Sequence, residues 1–180
     1  LGDGGHFERA PMYHQIILYR ILDCLNLGTR NPGIFKEDIT PLLRKKAGFM
    51  MGWLQQITFP NGDIPLFNDS AFGIAPATAL LIDYGKRLGV EVPEIPLGES
   101  GYRKFSGAHY QLLVDVGDVG PDYIPGHAHS DTLGFELYVN GQPFIVDTGI
   151  STYEKNERRQ YERSTAAHNT VQINQLEQTE

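Results

Sequence analysis

The chain has 180 residues, of which 41% are hydrophobic and 21% are charged, so it can bury a core and is not wholly disordered. Its formal net charge of −7 argues against the broad basic surface of a nucleic-acid-binding protein. The lone cysteine excludes an internal disulfide and a cysteine-based zinc site, and no apolar run is long enough to predict a membrane span.

The first half of the chain has apolar residues at helical spacing. It predicts three amphipathic helices, at about 11–27, 40–57 and 75–88. Gly28 is typical of a residue that ends a helix, and Thr40 is typical of one that begins a helix. The long loops between the helices favour a helical array over a tight bundle.

The chain changes character near residue 97. Residues 90–101 are rich in Pro, Gly and Glu and predict a linker. The short runs beyond it predict four strands, at 110–116, 133–139, 144–147 and 169–173. Asn140-Gly141 predicts a tight hairpin turn, since both residues accept positive φ. We therefore expect a helical unit at 1–97 and, at 98–180, an antiparallel sheet that forms one layer of a sandwich.

A histidine pair in the segment 126–131 is the strongest candidate for chemistry. In an extended segment His127 and His129 project to the same face, and imidazoles at that spacing are common metal ligands. The predicted hairpin returns Asp147 toward His129, and His168 opens the next predicted strand. His129, Asp147 and His168 would suit zinc with water as a fourth ligand. For each residue an ordinary loop or strand-end role remains open.

Three further segments carry polar groups that suit a binding or catalytic site. The loop 3–14 brings Glu8 and Tyr13 to the start of the first helix, where Tyr13 could act as an acid or base or only anchor the helix. Asn68 lies in a segment that would line a cleft or cap a helix. Arg163 ends a polar stretch, 153–164, that would bind acidic groups or form a solvated loop.

Four segments together resemble the heparinase II/III-like polysaccharide lyases. They are Asp-Gly-Gly-His-Phe-Glu-Arg-Ala-Pro-Met-Tyr-His at 3–14, Gly-His-Ala-His-Ser-Asp at 126–131, Phe-Ile-Val-Asp-Thr-Gly at 144–149 and Glu-Arg-Ser-Thr-Ala-Ala-His-Asn-Thr-Val at 162–171. The resemblance implies a multidomain α and β protein. This chain would be the end of an α/α toroid followed by the start of an antiparallel β-sandwich, within a longer chain.

The resemblance also implies an activity, which is cleavage of uronic-acid-containing polysaccharides by β-elimination. Tyr13 resembles the catalytic tyrosine, as base, acid or both, and His127 resembles the histidine that assists proton abstraction. His129, Asp147 and His168 resemble the ligands of a structural zinc. We expect the polysaccharide to be bound by Glu8, Asn68 and Arg163. The family's neutralising Asn or His is expected upstream of Leu1.

The partner that the resemblance implies is an acidic polysaccharide, and the expected location is the bacterial periplasm or the exterior, although the chain shows no signal peptide. Heparan sulfate, alginate, hyaluronan and bacterial exopolysaccharides all remain open as the polymer. Two other functions remain as alternatives. The first is a non-catalytic carbohydrate-binding or polysaccharide-assembly protein that keeps a structural zinc. The second is a zinc hydrolase that uses a metal-bound water.

Overall fold

The computed structural model describes residues 1–120 and 125–179. Over these residues the chain forms four α-helices, α1 Pro11–Arg30, α2 Thr40–Ile57, α3 Thr78–Arg87 and α4 Glu157–Glu162. The same described ranges contain four strands, β1 Tyr102–Ser106, β2 Tyr110–Asp115, β3 Phe135–Val139 and β4 Gln142–Ile145. Two short 3₁₀ turns, Pro125–His127 and Thr165–Ala167, lie close to predicted site residues.

Helices α1 and α2 pack against each other, and α3 closes over both. The buried face of α1 consists of Leu18, Leu22 and Leu25, at the spacing that one side of a helix requires. The prediction that α1 ends at Gly28 was wrong, because the helix continues to Arg30. A Cβ on Gly28 would lie 2.6 Å from the side chain of Phe35. The glycine therefore permits close packing within the helix rather than ending it.

The strands form one antiparallel sheet in the order β1-β2-β3-β4. The hairpin between β3 and β4 turns at Asn140 (φ 51°) and Gly141 (φ 76°), as the sequence predicted. Strand β1 was not predicted, because its Lys104 breaks the alternation of apolar residues. The Lys104 ammonium donates hydrogen bonds of 2.9 and 3.1 Å to the carbonyls of Gln56 and Thr58, at the end of α2. A cation is favoured at that end of a helix.

The predicted strand at 169–173 was wrong. A 3₁₀ turn precedes it, and Ile173 forms only an isolated bridge with Leu176. The side-chain amide of Asn169 instead donates to the backbone carbonyls of Phe135 and Val146, at 3.2 and 2.8 Å. Side-chain bonds of this kind occupy backbone acceptors that a neighbouring strand would otherwise use.

Aromatic side chains join the helices to the sheet in one hydrophobic core. Tyr138 of β3 stacks on Phe59 with ring centroids 3.8 Å apart, and Tyr102 of β1 meets the Trp53 ring edge-on at 5.2 Å. The predicted linker, 90–101, contains no helix or strand. Its end is held to the N-terminal loop by Asp3, whose carboxylate accepts bonds from Gly98 and Ser100. The sheet is therefore fixed against the helices.

Candidate active site

Tyr13 and His127 meet at the junction between the helices and the sheet. Tyr13 lies in the first turn of α1, which begins at Pro11, and His127 ends the first 3₁₀ turn. Their rings are stacked, with centroids 4.1 Å apart and planes 11° from parallel. The His127 side chain is 31% exposed, so a ligand from solvent can reach this pair. The two side chains predicted to move protons are thus in direct contact.

Glu8 lies behind this pair and contacts two histidines. Its carboxylate is 3.3 Å from Nδ1 of His127 and 3.6 Å from Nδ1 of His6. Burial lowers the pKa of His6, although the charge of Glu8 offsets part of that effect. A carboxylate beside one imidazole nitrogen favours a proton there and leaves the other nitrogen able to accept one. Glu8 is thus placed to orient His127, and the substrate contact predicted for Glu8 stays a prediction.

The other histidine of the segment 3–14, His14, lies in α1 and has a packing role. Its Nε2 lies 3.0 Å from the Met50 carbonyl, and its Nδ1 accepts a bond from the amide of His6. Complete burial lowers the pKa of His14 to about 3, so this ring is neutral at physiological pH. Both nitrogens are occupied, which anchors the loop to α2.

A buried ion pair lies under the site and joins Asp69, from the segment around Asn68, to Arg159, from the polar stretch 153–164. Asp69 is inaccessible to solvent, and its two oxygens accept bonds of 2.6 and 2.8 Å from the Arg159 guanidinium. The same carboxylate lies 2.7 Å from Nε2 of His129. Such bidentate pairs fix both partners in position. Asp69 thereby ties α4 to the segment that carries the histidines.

The loop 126–131 is held by a set of bonds from neighbouring segments. The Asn68 side-chain oxygen accepts a bond from the backbone amide of His129 at 3.0 Å, and the backbone amide of Asn68 donates to the Asp131 carboxylate. The Arg163 guanidinium donates to the Ala128 carbonyl at 2.9 and 3.1 Å. Asn68 and Arg163, predicted to bind substrate, are thus placed where they shape the loop.

His129 and His168 face each other, with ring centroids 5.1 Å apart, and both side chains are inaccessible to solvent. Asp147 lies 2.9 Å from Nδ1 of His168. Burial acts to lower the pKa of His168, but the hydrogen bond and charge of Asp147 outweigh it and raise that pKa. Within the part of the chain that the structure describes, no hydrogen-bond partner reaches Nδ1 of His129 or Nε2 of His168.

These two buried, unpartnered nitrogens suit a metal ion. Metal-binding histidines commonly place their second nitrogen against a carboxylate, as His129 does with Asp69 and His168 does with Asp147. Among residues 1–120 and 125–179, no three His, Cys, Asp or Glu side chains stand together as a ready metal-binding group. The Asp147 carboxylate, which the sequence predicted as the third ligand, contacts His168 in this arrangement.

Comparison with known proteins shows which family and relatives the chain resembles. Residues 92–180 match the family described as "Heparinase II/III-like, C-terminal". Two proteins named heparin-sulfate lyase are similar in sequence. The one from Bacteroides stercoris is 28% identical over 99% of this chain, and the one from Pedobacter heparinus is 26% identical over 95%. The chain spans about three tenths of the length of these relatives, 30% and 29%.

Solved structures share the fold. A heparinase III structure superposes with a TM-score of 0.75 at 24% identity, over 98% of this chain and 31% of that one. Heparan sulfate lyase HepC from Pedobacter heparinus gives a TM-score of 0.69 at 20% identity, over 98% and 31%. The family match covers residues 92–180, just under half of the chain, and the two heparin-sulfate lyases are similar to nearly all of it. Within the described residues, no helix is both long and apolar enough to cross a membrane.

Proposed function

We propose that this chain carries part of the active site of a polysaccharide lyase that cleaves a uronic-acid-containing polymer by β-elimination. The stacked pair of Tyr13 and His127 carries the proposal, since it places two acid/base groups together at an accessible junction. The likeness to proteins named heparin-sulfate lyase supports it and makes a heparan-type polymer the first substrate to test.

In the proposed reaction, a base removes the proton from C5 of the uronate. The electron pair left at C5 forms a double bond to C4, and the C4–oxygen bond breaks. The departing glycosidic oxygen then receives a proton. Tyr13 first gives its hydroxyl proton to Nε2 of His127, and the resulting phenolate accepts the C5 proton and delivers it to the leaving oxygen. His127 then returns its proton to Tyr13, so the site regains its starting state. We assign no residue of this chain to neutralising the uronate carboxylate.

Glu8 and the stacking contact give His127 its part in this scheme. Glu8 lies 3.3 Å from Nδ1, an ion-pair distance without hydrogen-bond geometry in this structure, so its charge favours a proton on that nitrogen and leaves Nε2 as the acceptor. The stacked Tyr13 ring restricts the imidazole plane. A base must lie within hydrogen-bond reach of the proton that it removes, and a fixed ring meets that requirement at little entropic cost.

We further propose that His129 and His168 hold zinc through their unpartnered nitrogens, with Asp147 as the third predicted ligand. Zinc bound there would supply a fixed structural charge. Asp69 would orient the His129 imidazole, as carboxylates do around many metal-binding histidines. Asp147 contacts Nδ1 of His168 in this structure and would have to leave that nitrogen to bind the metal. We also propose that helices α1, α2 and α3 are the end of an α/α toroid and that the sheet is one layer of a β-sandwich.

The test is the chemical nature of the product. The full-length protein should release oligosaccharides that carry an unsaturated uronate, detected by ultraviolet absorbance and mass spectrometry, from at least one uronate polymer. A product that has gained a water molecule, together with loss of activity on adding a chelator, would instead identify a zinc hydrolase. Binding of the polymer without any cleavage would favour the non-catalytic alternative.

A further inference from the structure

Tyr153 is a second tyrosine at the site, and neither the sequence motifs nor the proposed mechanism accounts for it. Its hydroxyl lies 3.0 Å from the hydroxyl of Tyr13, which donates the hydrogen bond. Tyr153 comes from the segment that precedes α4, so the two tyrosines are far apart in sequence. The contact joins the helical part of the chain to its C-terminal part at the oxygen proposed to move protons.

The ring of Tyr153 is held by a cation that cannot easily move. The Arg159 guanidinium lies over the ring, 5.5 Å from its centroid, a cation–π contact. Arg159 is fixed by its two bonds to buried Asp69, and its Nη1 lies 3.3 Å from Nε2 of His129. A continuous row of contacts therefore links His129, through Asp69 and Arg159, to the two tyrosine hydroxyls.

Tyr153 remains a hydroxyl group at ordinary pH. Burial, with the hydrogen bond from Tyr13 and the charge of Asp69, raises the pKa of Tyr153. A tyrosine hydroxyl can both accept and donate a hydrogen bond. It can therefore accept from Tyr13 while Tyr13 carries its proton, and donate to the same oxygen when that proton has left. The Tyr13 oxygen would keep a partner in both halves of the reaction.

We propose that Tyr153 is a positioning residue that fixes the Tyr13 oxygen during elimination, and that the Arg159–Asp69 pair supports Tyr153 in turn. This inference rests on the proposed function of Tyr13. It assigns Tyr153 no contact with the reacting carbon. Hydrogen bonds to a charged oxygen are stronger than those to a neutral one, so the contact stabilises Tyr13 most when its proton is lost.

The test compares Tyr153→Phe with Tyr161→Phe in the full-length protein. Both changes remove one hydroxyl from a ring that is about half exposed, 51% for Tyr153 and 59% for Tyr161, but the hydrogen bond to Tyr13 comes from Tyr153. Tyr153→Phe should lower kcat roughly tenfold to a hundredfold, as expected when a bond to a charged group is lost. KM should stay within about twofold of its original value. Tyr161→Phe should change neither quantity.

A deuterium label at C5 of the uronate provides a readout that a merely structural role would not affect. If Tyr153 positions the base, proton removal becomes slower in Tyr153→Phe, and the isotope effect on kcat should rise. The double variant Tyr13→Phe/Tyr153→Phe should be no slower than Tyr13→Phe alone, because residues that act as a unit are not additive. Melting curves of each variant would show whether the fold is retained.

The outcomes separate the two proposals. If the unmodified protein forms unsaturated product and Tyr153→Phe keeps its kcat and isotope effect, the positioning role is overturned while the lyase function stands. Independent, additive losses in the double variant would also overturn it. If the unmodified protein forms no unsaturated product from any uronate polymer, both proposals fail together.

Discussion

Replacing Asp69 by asparagine removes a negative charge from a side chain that solvent does not reach, while nearly preserving its volume. The native carboxylate offers two acceptors to the Arg159 fork, at 2.6 and 2.8 Å, and a third contact to His129 at 2.7 Å. Asparagine offers one acceptor and one amide donor. One N–H of Arg159 would then face another donor, and its buried charge would have no counterion.

The expected cost follows from this geometry. Removing one partner of a buried ion pair costs about 3–5 kcal/mol, because the remaining charge is left uncompensated. An exposed ion pair is worth about 1 kcal/mol or less. Asp83 forms such a pair with Arg87 at 3.2 Å on α3, and both side chains are more than half exposed. Asp83→Asn is therefore a matched control with the same chemical change.

Urea denaturation of the two variants measures the difference in the free energy of unfolding. Hydrogen exchange, read peptide by peptide, should locate the loss of protection in 126–131 and in α4 for Asp69→Asn, with no such loss for Asp83→Asn. The control should have a free energy of unfolding within about 1 kcal/mol of that of the unmodified protein. If Asp69→Asn does so too, the reasoning about this buried pair is wrong.

Three further outcomes are expected at the site and in the sheet. Glu8→Gln should lower kcat at least about tenfold while KM stays unchanged, because His127 loses the charge that orients it. Steady-state kinetics measures both quantities. Burial raises the pKa of Asp115 from 3.8 to about 7, helped by the charge of a neighbouring carboxylate. The folded state therefore binds more protons than the unfolded state between these pH values, and the free energy of unfolding should fall as pH rises through that window. In Asp115→Asn this slope should flatten in a urea titration repeated at several pH values. His168→Ala should contain less zinc than the unmodified protein, measured by elemental analysis, and should melt at a lower temperature. Tyr13→Phe should keep its zinc. Equal zinc content in both variants would contradict the proposed ligand role of His168.

Much of the helical part could be predicted, since the spacing of apolar residues is a local property of the sequence. Helix α2 runs from Thr40 to Ile57, as predicted. Contrary to the sequence prediction, Thr40 does not cap the helix with its side chain. Its backbone amide instead donates to the Asp38 carboxylate at 3.0 Å. Side-chain caps of this kind depend on loop geometry, which the spacing of apolar residues does not describe.

The sheet was harder to predict, because its buried face is partly polar. Inward positions carry Lys104, Asp115 and Glu136 beside aromatic residues, so apolar residues do not alternate cleanly. Burial raises the pKa of Glu136 to about 8, although the amides of Leu66 and Asp147 donate to its carboxylate. Partners distant in the sequence, such as Leu66 for Glu136 and Gln56 for Lys104, satisfy these polar groups, and a local pattern cannot show them.

The same limit explains why the contacts of Asp69, Tyr153 and Arg159 were not predicted. Tyr13, His127, His129, Asp147 and His168 stand in short segments whose composition is distinctive. By contrast, Asp69, Tyr153 and Arg159 lie in segments that look like an ordinary turn, 65–70, and a solvated charged stretch, 153–164. Their role depends on long-range contacts such as the bidentate ion pair below the site. Only the folded chain brings these segments together.

The proposed mechanism depends above all on the hydroxyl of Tyr13, so the decisive quantity is the rate of unsaturated-uronate formation by Tyr13→Phe. It should be measured beside the unmodified full-length protein on a heparan-type polymer. The substitution removes one hydroxyl and leaves the ring that stacks on His127. We expect the unmodified protein to form the unsaturated product and the variant to be slower by about 10²-fold or more, with its fold intact. A variant that forms the product at the original rate would contradict the role proposed for Tyr13.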